Sequence, residues 1–405
     1  MGEILFLGHR IPFPPDRGDK IRSHHLLRAL ARCAPVHVAT FAETGSDRAA
    51  EAELAKLAAT YCLVDRTLPV PVAAMRAVAA GKPVSLEAFD SAHLRRFVKR
   101  TLAERPIDTI AVFSGQMGQY IPDDFAGRVV IDLCDVDSAK FASYAAEASW
   151  PKSAMFTRED ALLGQEEARL AQIADRVLLI SNDEAGLFAE RVGKHGNVAA
   201  LGNGIDTQFF DPAAVDPHPE LARGEGLQLL FTGQMDYPPN IAAVTRFARD
   251  ILPALRASSP ARFHIVGRAP TRAVEDLGSL PGVKVWGEVP DMRPFLRGAD
   301  IVVAPLTIAR GVQNKVLEAM AMARPVLLSN EAATGIPATD KRHFEICGTD
   351  GQFVDAAIAL AEEPALAHEM GAAARRFVSE NMSWDAFYAE IARLVSVQGR
   401  GRHAA

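Results

Sequence analysis

The chain has 405 residues, 49% of them apolar and 23% charged, with a formal net charge of −6 and four cysteines. Such a length divides into two domains, or three small ones, each large enough to bury its own core. The mild acidity, without a long block of one sign, argues against a general nucleic-acid binder, and no apolar run nears the roughly 18–20 residues of a membrane span.

The chain opens at once on an apolar run, Ile4 to Gly8, which reads as a short buried strand. Glu3 ahead of it breaks the basic and apolar pattern of a signal peptide, and Phe6 stands where a myristoylation site needs Ser or Thr. Cys33, Cys62, Cys134 and Cys347 are scattered without CxxC spacing, so a reduced, cytoplasmic protein with neither zinc site nor disulfide framework is expected. The loop HRIPFPPDRGDK follows, then a helix carrying Ile21, Leu26, Leu27 and Leu30 on one stripe. Gly18 sits just before that helix, where a phosphate could meet free N–H groups, but one glycine in a proline-rich loop reads first as a plain turn. His24 and His25 read as structural or solvated.

Further strands are expected at Val36 to Phe41, Thr109 to Phe113, Val129 to Leu133 and Arg176 to Ile180, with helices such as Asp47 to Ala59 and Ser91 to Glu104 between them. This alternation predicts an open parallel sheet, whose ligands sit outside the carboxyl ends of its strands. Three such ends are Ser114-Gly115-Gln116, Asp135 to Ser138 and Ser181-Asn182. Asp132, Asp135 and Asp137 lie close together and suit either acceptor hydroxyls or a cation; capping of a helix by Asp137 or Ser138 is the plainer reading. From Met75 to Arg105 the chain is basic, with Leu94, Phe97, Val98 and Leu102 at helical spacing among Arg95, Arg96, Lys99 and Arg100. Such a helix either packs on the sheet or rests on an anionic membrane.

LGNGIDTQFFDP, residues 201–212, places a tight turn at Asn203-Gly204, a cap at Asp206 and two anchors at Phe209 and Phe210. A polar, Pro-rich stretch then connects to Leu227 to Thr232, the first strand of a second unit, whose loop GQMDYPPN leads into a helix at Ile241 to Leu255. FHIVG (263–267), VKVWGEVPD (283–291) and MRPFLRGADIVVAP (292–305) follow. Ile301 to Ala304 is a buried strand, Asn314 to Ala323 a short helix, and Val326 to Leu328 the returning strand. In the loop between, Gly311 permits close backbone approach, and the first helical turn offers free N–H groups. Lys315 adds a charge, and Glu318 offers two oxygens to a pair of hydroxyls, a pattern that suits a nucleotide sugar. In isolation, Lys315 and Glu318 also read as one solvated helix face.

ARGVQNKVLEAMA resembles the donor-binding core of retaining glycosyltransferases of family four, which have the GT-B fold. It is similar to the branch associated with exopolysaccharide loci and the PEP-CTERM system. Of the family's two glutamates eight positions apart, Glu318 matches the second, which holds ribose, while Arg310 stands in place of the first. The linker at Asn203 to Asp206 also matches. Relatives clamp the donor diphosphate with Gly-Arg and Lys-Asn pairs; here Gly233 and Asn240 remain, but Gln234 and Pro239 replace the basic residues. The missing charge is then expected from Arg310 and Lys315. The resemblance raises Gly18, Lys20 and Arg22 to phosphate-facing candidates. The catalytic candidates are then Arg310, Lys315, Asp135 and Asp137, with Gln116 a substrate-binding candidate at its strand end; Val312, Gln313 and Asn314 stand beside the donor, and Gly267, Arg268 and Val285 to Val289 around the base. The family's first-domain histidine has no counterpart at the three strand ends named above.

The implied architecture is α/β: two facing Rossmann-like domains with parallel sheets. An acceptor-side domain covers 1–205, a donor domain 206–383, a helix at 384–397 crosses back, and 398–405 forms a disordered tail. The implied activity moves a hexosyl group from a nucleoside diphosphate sugar to a glycan or lipid-linked acceptor, with peripheral membrane contact and no obligatory metal. A non-catalytic nucleotide-sugar binder or a nucleotide-sugar epimerase keeps the same motifs. A Rossmann oxidoreductase does not fit, because no GxGxxG follows the first strand.

Overall fold

A computed structural model describes residues 2–193, 196–309 and 311–396. Arg310 and the expected tail at 398–405 lie outside the described residues. The chain forms two compact units: Met1–Asn203 with Phe387–Ala405, and Gly204–Ala386.

The first unit holds seven strands: β1 (Glu3–Gly8), β2 (Val36–Ala42), β3 (Thr60–Asp65), β4 (Ile107–Phe113), β5 (Arg128–Cys134), β6 (Arg176–Leu179) and β7 (Val198–Ala200). They pair in parallel in the order β3-β2-β1-β4-β5-β6-β7. Ile4, Leu5, Phe6 and Leu7 are all fully buried, as a strand covered on both faces requires. The chain order reverses between β1 and β4, which opens a crevice at their carboxyl ends. β3 and β7 go beyond the strands read from sequence. Both are edge strands: β3 is half exposed, and β7 has three residues, so neither carries a sustained apolar pattern.

The basic segment forms the helix Ala92–Glu104, started by Ser91, whose hydroxyl accepts from the Leu94 N–H at 3.4 Å. Its Leu94, Phe97 and Val98 are buried in the first core, while Arg95, Arg96, Lys99 and Arg100 are exposed. The apolar stripe therefore packs on the sheet, the first of the two readings. The last helix, Trp384–Ser396, buries Phe387, Tyr388, Ile391, Leu394 and Val395. From Phe387 onward it belongs to the first unit, where the Arg128 guanidinium donates to the Leu394 carbonyl at 2.6 Å.

The second unit holds β8 (Leu227–Thr232), β9 (Ala261–Val266), β10 (Val283–Gly287), β11 (Ile301–Ala304), β12 (Val326–Leu328) and β13 (Glu345–Ile346). These too are parallel, ordered β10-β9-β8-β11-β12-β13, with the reversal between β8 and β11. The helix expected at 241–255 is three pieces: Pro238–Arg246, a wider π turn at Phe247–Ile251, and Leu252–Ser258. Pro253 supplies no N–H to close a regular turn there. Gly204 fits the linker because a Cβ would collide with the backbone of Ser383 and Trp384. No helix among the described residues is long and apolar enough to cross a membrane.

Candidate functional site

A cavity of about 440 Å³ opens at the carboxyl ends of β8 and β9, beside the helix Asn314–Ala321 that follows β11. It is where the second sheet reverses order, the position at which open α/β sheets bind ligands. Glycine makes it possible. Gly267 has φ 155°, and a Cβ there would overlap the Gly233 carbonyl oxygen, so the two strand ends touch backbone to backbone.

The structure brings Gly233, Gln234, Asn240, Gly267, Arg268, Val312, Asn314, Lys315 and Glu318 around this one cavity. Glu288 and Val289, expected near a base, also line it. Gly311 (φ 64°) and Gln313 lie in the adjoining loop, where the Gln313 side chain donates to the Gly311 carbonyl at 3.2 Å. Asn240 organises the polar wall. Its amide donates to the Gln234 carbonyl at 2.8 Å, and its Oδ1 accepts from Lys315 Nζ at 2.6 Å. Lys315 Nζ also lies 4.2 Å from the Phe231 ring centroid.

Desolvation lowers the Lys315 pKa to about 8, against the opposing charge of Glu318. Desolvation likewise raises Glu318 to about 7, against the pull of Lys315. Thr232 adds a group that sequence reasoning missed: its hydroxyl is buried without a partner and lines the cavity. Met292 and Val266 complete the apolar lining. Position was the only signal for Thr232, which directly precedes Gly233 at the end of a buried strand.

In the first unit, Gly18 is the first residue of the helix Gly18–Cys33, with open space beyond its Cα. Two neighbours do not join it. Lys20 is buried, with Nζ 2.5 Å from Asp47 and 3.3 Å from the Phe13 carbonyl. Arg22 has no exposed surface; its Nε reaches both Asp132 oxygens at 2.8 and 3.1 Å, and Nη1 reaches Asn203 at 2.9 Å. Each cation is thus paired with a buried carboxylate, while the Arg22 Nη2 is buried without a hydrogen-bond partner.

Asp132 is thereby separated from Asp135 and Asp137, which share Lys140 at 3.0 and 3.1 Å. The capping reading fails as well. Val136 is the N-cap of the helix Asp137–Glu147, and Ser138 is held by Glu167. Gln116 accepts from the Ser114 hydroxyl. Ser114 and Cys134, at the ends of β4 and β5, both have left-handed backbones (φ 77° and 68°), which concentrates strain at the strand ends nearest Gln116 and Asp135. A histidine does stand at a strand end: His9, after β1, stacks on Phe113 with centroids 5.6 Å apart, and its Nδ1 is buried without a partner. Burial opposes ionisation of the neighbouring Asp19, yet the His9 hydrogen bond and the Arg10 charge hold its carboxyl well below the usual range.

Among the described residues, no group of three or more His, Cys, Asp or Glu side chains is placed to hold a metal ion.

Residues 226–363 match the family model described as Glycosyl transferases group 1, which contains every residue of the cavity. The second unit is therefore a glycosyltransferase domain. HepE from Anabaena, solved with UDP, superposes with a TM-score of 0.61 at 15% identity, covering 97% of this chain and 99% of that one. Sucrose-phosphate synthase from Thermosynechococcus elongatus gives 0.58 at 15% identity, covering 97% and 98%. WaaG, a glycosyltransferase involved in lipopolysaccharide biosynthesis, gives 0.55 at 15% identity, covering 97% and 99%. These likenesses establish the GT-B fold. No curated protein sequence matches the chain.

Proposed function

We propose that the protein is a retaining glycosyltransferase that moves a hexosyl group from a nucleoside diphosphate sugar to a hydroxyl acceptor in exopolysaccharide or cell-surface glycan synthesis. The observation that carries this is the single cavity at the second sheet's reversal, which joins an amine, a carboxylate and two strand-ending glycines inside the matched segment. Its volume suits a nucleotide, and HepE, of the same fold, has been solved with UDP-glucose. Family four and retention rest on the resemblance at Asn203 to Asp206 and at Glu318, and the exopolysaccharide branch on that of ARGVQNKVLEAMA, residues 309–321.

On this reading Glu318 accepts hydrogen bonds from the ribose hydroxyls, while Lys315 and the Gly311 to Asn314 loop face the diphosphate, with Arg310 supplying further positive charge as the resemblance implies. The first unit takes the acceptor, with Gly18 at the start of its first helix and Gln116, Asp135 and Asp137 at its strand ends. The acceptor oxygen attacks the anomeric carbon on the face the diphosphate leaves. Its proton passes to the departing phosphate oxygen, so no protein nucleophile is needed. Side-chain cations stabilise the charge that develops on the leaving group, and the scheme needs no metal.

The protein works in the cytoplasm, on a glycan or a lipid-linked acceptor, with peripheral membrane contact. The membrane face is the exposed apolar surface of the first unit. Val70, Met75 and Val78 project from the helix Val70–Ala80, and Tyr144, Trp150 and Met155 from the helical hairpin 137–173. Arg158 ties the two by donating to the Ala77 and Lys82 carbonyls, both at 3.0 Å.

The test is a thermal-shift screen of UDP, GDP, ADP and dTDP sugars, repeated with Glu318→Ala, followed by turnover of the stabilising donor. Stabilisation by one nucleotide class, lost in the variant, with sugar transferred to an added acceptor, is the expected result. Binding without turnover would leave a nucleotide-sugar binder, and release of an epimerised sugar would mean an epimerase.

A further inference from the structure

Among the described residues, two cations line the second unit's cavity, Lys315 and Arg268. Lys315 is already engaged by Asn240 and the Phe231 ring. Arg268 stands on the wall formed by the carboxyl end of β9, exposed and without an ion pair among the described residues, although Glu288 lines the same cavity. Its place is set by the contact of Gly267 on Gly233, which sends the two following residues out side by side. The Met235 N–H donates to the Arg268 carbonyl at 2.8 Å, fixing the backbone. The Arg268 Nη2 donates to Gln234 Oε1 at 2.9 Å, fixing the guanidinium.

A neutral amide after Gly233 therefore carries a neighbour's positive charge at its tip. A guanidinium has five N–H donors and keeps its charge at any working pH, so one bond to Gln234 leaves a fork for an anion. A diphosphate taken out of water requires charge-assisted partners of this kind.

We propose that Arg268, oriented by Gln234, is a diphosphate-binding cation of the donor site, standing in for a basic residue at position 234. This rests on the reading of the cavity as a donor site, and it moves Arg268 from the base, where sequence placed it, to the phosphates. Gln234 is a positioning residue: its carboxamide selects the side chain that reaches the anion. A lysine at 268 would keep the charge but lose the fork.

The experiment measures dissociation constants by calorimetry for UDP, GDP and ADP and for the corresponding nucleosides. Wild-type protein is compared with Arg268→Ala, Gln234→Ala and the double variant Arg268→Ala/Gln234→Arg. For the diphosphate that binds wild type most tightly, Arg268→Ala is expected to weaken affinity about 10- to 100-fold. The parent nucleoside should be held as well as before, and the unliganded melting temperature should not move, because Arg268 is exposed. Gln234→Ala should give a smaller loss. The double variant should recover most of the affinity, since its arginine returns the charge to the same spot.

Equal losses for nucleoside and diphosphate would assign Arg268 to the base and overturn the proposal, as would no loss at all. Failure of the double variant to recover would overturn the exchange between 234 and 268. If wild type binds none of the three diphosphates, the donor-site reading itself fails, and the assignment goes with it.

Discussion

Burial sets the protonation of the two charged side chains on the helix Asn314–Ala321. Glu318, raised from 4.5 to about 7, holds its proton more tightly folded than unfolded. Its contribution to stability is complete below the unfolded value and is lost as pH rises through about 7. Lys315, lowered from 10.5 to about 8, contributes fully above the unfolded value and loses that as pH falls through about 8. Glu318→Gln should therefore gain melting temperature on wild type between about pH 5 and pH 8 in unliganded protein. A constant difference across that range would refute the raised carboxyl. Thr232→Val tests the orphan hydroxyl in the other direction. Without ligand it should be neutral or slightly stabilising, because no hydrogen bond is lost, whereas donor affinity should fall about 5- to 10-fold. At this scale the sequence was legible where neighbours in the chain line one cavity, as Asn314, Lys315 and Glu318 do. It was silent where partners are distant. Lys20 and Arg22 follow Gly18 closely in the chain, but the carboxylates they pair with lie 27 and 110 residues away.

Elements built on continuous Val, Ile and Leu runs, such as Ile301–Ala304, could be read from sequence because both faces of the strand are covered. Edge strands such as Thr60–Asp65 could not, since their exposed side leaves the pattern open. The Ala92–Glu104 stripe suited a sheet better than a membrane but left both open, and the fold packs it on the sheet. The strand ends make a sharper test. Gly267→Ala must part β8 from β9 against a backbone oxygen, so it should cost at least about 2 kcal/mol and abolish nucleotide binding. Gly18→Ala meets open space at the start of a helix and should be neutral or stabilising by about 0.4–1 kcal/mol. If it nonetheless slows turnover at unchanged melting temperature, Gly18 serves close phosphate approach. For the apolar surface, Trp150→Ser with Met75→Ser should reduce sedimentation with anionic liposomes severalfold. Trp150 is 82% exposed and carries no core packing to lose.

At the scale of the molecule, each unit's architecture followed from the alternation of strands and helices, whereas the first unit's final helix is separated from the rest of it by the whole second unit. Five buried side chains between Phe387 and Val395 stand for about 7–15 kcal/mol of transfer free energy. That is comparable to the roughly 5–15 kcal/mol by which a domain is stable at all. Truncation after Ser383 should therefore unfold the first unit while Gly204 to Ser383 still melts cooperatively. Calorimetry of the full chain should show two transitions, of which truncation removes the first unit's and leaves the second unit's; loss of both, or of neither, would refute the dependence. The same arrangement fixes an order of birth. A ribosome releases the second unit as one contiguous stretch, but the first, although made earlier, waits for the last residues to emerge before its core can close. During that interval the apolar surface that Phe387 to Val395 will cover is a natural client for a chaperone, and losing that segment is as damaging to the first unit as losing one of its strands.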